Sequence, residues 1–330
     1  SLTKLEGKPL PRATAGVPKP VLTPLQVRSS AARRTTASLG YNECVTYTFI
    51  DREAAALFGG GTEATELENP ISSDMSHMRP DLLPALLRAA ARNQARGFAD
   101  LALFEVGHAF AGGKPGEQQL QVSGVLIGRT GPKDVHGASR AVDVYDAKAD
   151  AEAILAAMGA PAKVQIMRDG PAWFHPGRHG KICLGPKKVL AIFGELHPKI
   201  LREMDIKGPA VAFTLFPEEI PLPKNASASR PAMDISELQA VERDFAFVVD
   251  AEVEALTLVN AAAGADKALI EDVRVFDEFS GGSLGEGKKS LAITVRLQPK
   301  EDTLKDKDIE AVSAKIVEKV TKATGGTLRG

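Results

Sequence analysis

Cysteine is almost absent. The two present in 330 residues, Cys44 and Cys183, are too few and too far apart for a disulfide framework, and no charged-then-apolar leader precedes Leu2. A reducing, cytoplasmic setting is expected. Long apolar runs are missing too. Arg88 interrupts the best candidate, "LLPALLRAAA", after six residues, where crossing a bilayer needs roughly 18, so no membrane association is expected. Charge of one sign is not in excess: 41 Lys plus Arg against 42 Asp plus Glu leave −1. That balance gives no global attraction to DNA or RNA, and any RNA contact has to be local. Aromatic residues make up 5% of the chain, 13 Phe with one Trp and three Tyr, which excludes an extended base-stacking platform.

What is present suffices for two ordinary domains, with 44% hydrophobic and 25% charged residues. The chain opens on Ser1, with a proline-punctuated tail over 1–20 that reads as the end of a preceding domain in a longer polypeptide. A boundary falls at "FPEEIPLPKNASASRP", where Pro217, Pro221, Pro223 and Pro231 accompany small polar residues. The expected organisation is a core domain over 21–216, a linker over 217–234 and a compact unit over 235–330.

In the core domain, Thr23 caps a helix with Pro24 at its first position, and Gly40 closes it. "CVTYTFI" (Cys44 to Ile50) reads as a strand, Asp51 caps a short helix to Phe58, and Gly59 to Gly61 make a turn. A helix is expected to start after Pro80 and run to Arg96, and another from about Lys148 to Met158, with strands at "LALFEV", "VSGVLIG", "KICLG", "VLAIFGEL" and "AVAFTLF". This mixture predicts an α+β domain built on an antiparallel sheet. Downstream, strand signals at Arg243 to Val249, "LIEDVRVFDEF", Ser290 to Leu297 and "GTLR" alternate with helices over Glu254 to Ala263 and Lys305 to Ala323. Ile309, Val312, Ile316 and Val320 lay one apolar stripe on the second helix. The order βαββαβ is the ferredoxin-like arrangement.

Three chemical motifs fail on inspection. "GSLGEGKK" (Gly282 to Lys289) spaces its glycines like a phosphate-binding loop, but Lys289 stands where Ser or Thr must hold magnesium, and a strand follows instead of a helix. It reads as a β-connection. His175 and His179 in "WFHPGRHG" have the i, i+4 spacing of a zinc pair, yet Pro176 and Gly177 oppose the helix that would align them. That segment reads as a turn between strands, packed by Trp173 and Phe174. Neither a G-x-S-x-G elbow nor a cysteine-nucleophile signature occurs.

The C-terminal unit carries 13 Lys plus Arg against 18 Asp plus Glu, a net of −5. That charge argues against broad RNA binding and leaves selective recognition by a few side chains.

Several strings occur in a fixed order: "NPISSDMSHMRPDLLPALLRAAARN", "LFEVGHAF", "FHPGRHG", "FGELHP", "RDFAFVVD", "VFDEFSGGSLGEGKKSLAITVRLQ", "TLKDKDI" and "GTLRG". Over about Pro20 to Gly330 the chain resembles the C-terminal part of bacterial phenylalanyl-tRNA synthetase β subunits. The resemblance implies a noncatalytic domain with the class II synthetase antiparallel sheet, then a ferredoxin-like anticodon-binding domain. It implies as partners a catalytic α subunit, in an α2β2 heterotetramer, and tRNA(Phe). ATP and Mg2+ belong to the assembled enzyme and no cofactor to this chain. Family proofreading lies in domains upstream, so no editing residue is expected here.

The residues agree with a noncatalytic role. Adenylate formation needs arginines on the ATP phosphates, whereas Arg79 is followed by Pro80 and Asp81, and His108 stands where an arginine would serve in "EVGHAF". No catalytic or metal-binding residue is expected. By the same resemblance Asp277, Phe279, Ser290 and Arg329 occupy the anticodon-recognition positions. A carboxylate at Asp277 accepts from the N1 and N2 donors of a first-position guanine. Phe279 offers a π face without the hydroxyl of the tyrosine often found there, and Arg329 stacks or meets a phosphate. Strand alternation predicts Val275, Asp277 and Phe279 on one sheet face, with Ser290 opening the next strand. A protein-interaction scaffold with no RNA role is the alternative, and the −5 charge suits it; an autonomous amino-acid-activating enzyme is disfavoured by the missing arginines.

Overall fold

The computed structural model describes residues 4, 6–9, 21–131, 135, 137–223, 232, 233 and 235–329. Most of the expected tail over 1–20, and residues 224–231 and 234 of the expected linker, lie outside the described residues. The chain forms two compact units, 1–226 and 227–330.

The first unit begins with α1 (Pro24–Ser38), where the Thr23 hydroxyl accepts the Gln26 N–H and the Gln26 side chain accepts the Thr23 N–H, a reciprocal cap. Gly40, at φ +95°, ends it as expected. The single strand expected over Cys44–Ile50 does not form. Instead β1 (Asn42–Glu43) stops after the Cys44 N–H bonds the Phe104 carbonyl, and pairing resumes only at β2 (Phe49–Ile50). Between them Thr46 turns inward to Arg79 and Glu105, and the Thr48 carbonyl accepts the Arg79 N–H. A buried arginine thus draws the chain off the sheet edge. Asp51 caps α2 (Arg52–Leu57) through the Ala54 N–H. The Gly59–Gly61 turn needs its glycines, since Gly61 has φ +76° and a Cβ there would meet the Arg52 carbonyl oxygen at 2.8 Å.

After β3 (His77–Met78), helix α3 (Leu83–Gln94) starts two residues later than the expected proline boundary, because Asp81 takes the Leu83 N–H. Then follow β4 (Leu101–Phe110), β5 (Gln118–Ile127), α4 (Val144–Ala157), β6 (Gln165–Met167), β7 (Phe174–Leu184), β8 (Lys188–Leu196), α5 (Pro198–Glu203) and β9 (Ala210–Leu215). Helix α4 begins before Lys148 because Asp143 and Asp146 cap it reciprocally. The strands order as β1-β4-β5-β9-β8-β7-β6, antiparallel except for β1 with β4. "FHPGRHG" is no turn: it is the first part of β7, whose pairing with β8 is irregular between Phe174 and His179, where Pro176 cannot donate to a ladder.

Both faces of this sheet are covered, as an α+β unit requires. Phe104, Val122, Ile154 and Phe213 belong to one core, and Leu83, Leu86, Val125 and Ile192 to the other. Arg28 on α1 donates to the carbonyls of Pro217 (3.0 Å) and Pro221 (2.9 Å), which holds the departing chain against the unit.

The second unit is β10 (Val241–Asp250), α6 (Ala255–Ala263), β11 (Ile270–Phe279), β12 (Lys288–Leu297), α7 (Asp306–Thr324) and β13 (Thr327–Leu328). Its antiparallel sheet orders as β11-β12-β10-β13, the ferredoxin arrangement read from the sequence. Phe247, Leu291, Ile293 and Val295 pack with Leu258 of α6 and Val312, Ile316 and Val320 of α7. The connection after β11 is a single 3-10 turn (Gly282–Leu284), with Gly285 and Gly287 at positive φ.

Gly124 of β5 lies under the ring of its cross-strand partner Phe213, whose Cζ would stand 2.4 Å from an added Cβ. Gly124→Ala therefore overpacks the sheet and is expected to destabilise the first unit by about 1–3 kcal/mol. Urea unfolding followed by the fluorescence of Trp173, the only tryptophan, checks this.

Candidate nucleic-acid interface

The larger sheet has a polar end on the α3 side, and Arg79 occupies it. Only 3% exposed, Arg79 donates from Nη1 to Glu105 (2.8 Å) and to the Thr46 hydroxyl (2.9 Å), and from Nε to the His108 carbonyl (2.9 Å). The Thr46 hydroxyl donates to the second Glu105 oxygen at 2.6 Å. The guanidinium lies on the backbone of Gly107, where a Cβ would come within 2.6 Å of Nη2. Its charge is neutralised internally, and among the described residues no group of three metal-ligating side chains occurs. These residues do not fit an ATP phosphate or its metal. His108 contributes its backbone carbonyl to the arrangement.

Asp81 lies beside this network, fully buried. Burial raises its carboxyl to about 6, against the opposing pull of the Leu83 N–H, the Thr214 hydroxyl and Arg79. The Thr214 hydroxyl in turn meets Ser123 at 2.8 Å. Histidines 175 and 179 are engaged locally: Nδ1 of His175 accepts the Gly177 N–H, and Nδ1 of His179 meets the His175 carbonyl at 2.7 Å.

The second unit exposes a different kind of surface. Both helices cover one face of its sheet, and cross-strand pairing, which points opposed residues the same way, defines what the other face carries. Its rows are Glu242–Arg296–Asp272, Asp244–Thr294–Arg274, Ala246–Ala292–Asp277 and Val248–Ser290–Phe279, with Lys288 opposite Asp250 at one end. Thr327 pairs with Val248, and the Arg329 N–H bonds the Ala246 carbonyl at 2.7 Å.

Asp277, Phe279, Ser290 and Arg329 therefore share one face. Arg329 leaves the β13 edge and reaches across the sheet to place its guanidinium carbon 5.9 Å from the centroid of the Phe279 ring, on the opposite edge strand. The low side chains of Ala246, Ala292 and Ser290 lie in the rows between. The ring itself folds toward Gly281, where an added Cβ would meet its Cζ at 2.7 Å. Phe279 is 44% exposed, whereas Ser290, the third residue of β12 rather than its first, is 4% exposed and forms the floor.

One expectation fails. Val275 does not share the face of Asp277 and Phe279, because β11 bulges: Val275 pairs with Ile293 while Asp277 pairs with the next residue, Ala292, leaving Phe276 as an extra residue. Val275 thus falls on the helix side with Ile293, and the parity of the strand reverses after it. The same reversal puts Arg274, overlooked in the sequence, on the face of Asp277; only the pairing register reveals it. Lys289, at the position where a phosphate loop needs Ser or Thr, is 6% exposed, with Nζ 4.0 Å from Glu278.

A four-stranded antiparallel sheet in the order β11-β12-β10-β13, with two helices on one face, defines the second unit as a ferredoxin-fold domain. Residues 236–329 match the family described as "Ferredoxin-fold anticodon binding domain", and residues 9–216 match "Phenylalanyl tRNA synthetase beta chain CLM domain". The chain belongs to the phenylalanyl-tRNA synthetase β-chain family. It is 80% identical over 330 residues to a protein of Ruegeria pomeroyi named phenylalanine–tRNA ligase beta subunit, covering 100% of this chain and 41% of the relative. The likewise named protein of Cereibacter sphaeroides is 73% identical over 334 residues, with the same coverage. The one from Rhodospirillum rubrum is 52% identical, covering 97% of this chain and 40% of the relative. The chain thus spans about two fifths of the length of these relatives. Among solved structures, pyrrolysyl-tRNA synthetase of Desulfitobacterium hafniense is similar at TM-score 0.45 and 16% identity, over 59% of this chain and 67% of that one.

Two outcomes follow for the buried network. Glu105→Ala leaves the Arg79 charge buried and unpaired, and a loss of roughly 3–5 kcal/mol is expected in urea unfolding. For Asp81 the native carboxyl keeps its proton up to about pH 6, while the unfolded one releases it near about 3.9. Its penalty is absent below the unfolded value, develops as pH rises between the two, and reaches roughly 3 kcal/mol above the folded value. Asp81→Asn is expected to flatten stability over that window, checked by urea unfolding of both proteins at pH 4 and pH 7.

Proposed function

We propose that this chain is the part of phenylalanine–tRNA ligase that supports the catalytic α subunit and binds the tRNA(Phe) anticodon during ATP-dependent charging. The observation that carries the reading is the gathering of Asp277, Phe279, Ser290 and Arg329 on the uncovered face of one sheet. Asp277 accepts the N1–H and N2–H of a guanine, which no other base presents together. Phe279 and the Arg329 guanidinium offer flat surfaces for stacking, and Ser290 keeps the floor low enough for a base to lie between the strands.

Catalysis is assigned to α, since Arg79, packed against β4 of the larger sheet, is spent on Glu105. ATP and Mg2+ accordingly belong to the assembled cytoplasmic enzyme, proposed as α2β2. A surface for α is supported by Val45, Tyr47 and Ile71, which are 92%, 75% and 93% exposed in the first unit. The same apolar surface and the net −5 of the C-terminal unit favour a second reading, a protein scaffold with no RNA role.

A titration separates them. The chain is mixed with a tRNA(Phe) anticodon stem-loop, wild type or with its first anticodon base changed from G to A. Weak binding that prefers G by about tenfold, with the preference lost in Asp277→Ala, is expected. Binding indifferent to that base would contradict the assignment and favour the scaffold.

A further inference from the structure

Most charges on the open face are already engaged. Lys288 donates to Asp250 at 2.6 Å, and Arg296 pairs with Glu271 (2.8 Å) and Glu242 (3.6 Å). Asp244 accepts the Thr294 hydroxyl at 2.7 Å. Arg274 differs. It is exposed, and among the described residues it makes no hydrogen bond or ion pair. Its cross-strand partner is Thr294, one row from the Ala292–Asp277 pair. Without the bulge at Phe276, a residue three positions before Asp277 would point to the helix side. The bulge brings this unspent cation to the face where Asp277 and Phe279 stand, with partners Thr294 and Ala292 two residues apart on β12, which is roughly 7 Å along the sheet from Asp277.

We infer that Arg274 binds a backbone phosphate of the RNA strand whose base meets Asp277. The inference rests on the anticodon-binding reading. Its physical basis is a division of labour: on a unit of net −5, RNA gains little from the domain as a whole, and the Arg329 guanidinium rests over the Phe279 ring, so the Arg274 guanidinium beside the base site supplies attraction where the strand must lie. A phosphate contact positions the strand and carries no base information. Arg274 is thus a positioning residue, distinct in its signature from Asp277. Thr294 and Asp244, bonded to each other, complete the row of Arg274 and leave its guanidinium free to turn outward.

The test is the stem-loop titration repeated with Arg274→Ala and Arg274→Lys over a range of salt. Arg274→Ala is expected to weaken the G and A stem-loops equally, by about threefold to tenfold at low salt, and to make the log K against log salt slope shallower by about 0.7, the value for one single-strand phosphate. Arg274→Lys, which keeps the charge, should hold the wild-type slope. An unchanged slope in Arg274→Ala, or a loss confined to the G stem-loop, overturns the inference. If the wild-type chain shows no base preference yet Arg274→Ala still flattens the slope, the phosphate contact stands and the base reading falls. Absence of binding by either stem-loop overturns both.

Discussion

Everything proposed for the C-terminal unit depends on a sheet packed on one side only. Two helices supply apolar surface for one face of four strands, so the opposite face must be built from side chains that tolerate water. Along β12 this produces a strict division, with Leu291, Ile293, Val295 and Leu297 inward and Ser290, Ala292, Thr294 and Arg296 outward. The bulge in β11 then rearranges what the edge strand adds. Before it, Val273 packs on the core and Val275 pairs with inward-facing Ile293; after it, Asp277 and Phe279 face out. One extra residue thereby turns the side chains of an edge strand from the helix face at one end to the open face at the other, where the proposed recognition residues stand.

The two units treat arginine in opposite ways, and this difference separates their roles. Arg79 is buried with Glu105, Thr46 and the His108 carbonyl, so its charge cannot serve a ligand. A buried pair of this kind is weak evidence for net stability but makes loss of either partner costly, and it also pulls the 44–48 segment away from the sheet. Val45 and Tyr47 are left facing solvent as a consequence. Arg274 and Arg329 lie instead on an exposed face, the first unpaired and the second resting over an aromatic ring. The same side chain is a structural bolt beside one sheet and an available cation on the other.

Much of this organisation was legible in the sequence. Local signals with a direct mechanism held: the Thr23 cap, the Gly40 stop, the apolar stripe of α7 and the βαββαβ order. The starts of α3 and α4 were missed on local caps by Asp81 and Asp143, whereas the strand misses share one cause, long-range pairing that leaves no local trace. "CVTYTFI" has the composition of a strand, and only Arg79, far along the chain, explains why it does not form one. Alternation correctly put Asp277 and Phe279 together but wrongly added Val275, because period-two counting has no means of locating a bulge. The four positions proposed for recognition came from the ordered family motifs rather than from side-chain chemistry, which by itself reads them as surface residues.

The most direct test is to map the RNA footprint on the chain. Backbone amide resonances of the 330-residue protein, followed as the stem-loop is added, should shift on the open face, along 272–279, 288–294 and 327–329. The groups on the outer surfaces of α6 and α7 should stay in place. Shifts confined to those helices, or to the first unit, would contradict the claim that the uncovered sheet face meets the anticodon.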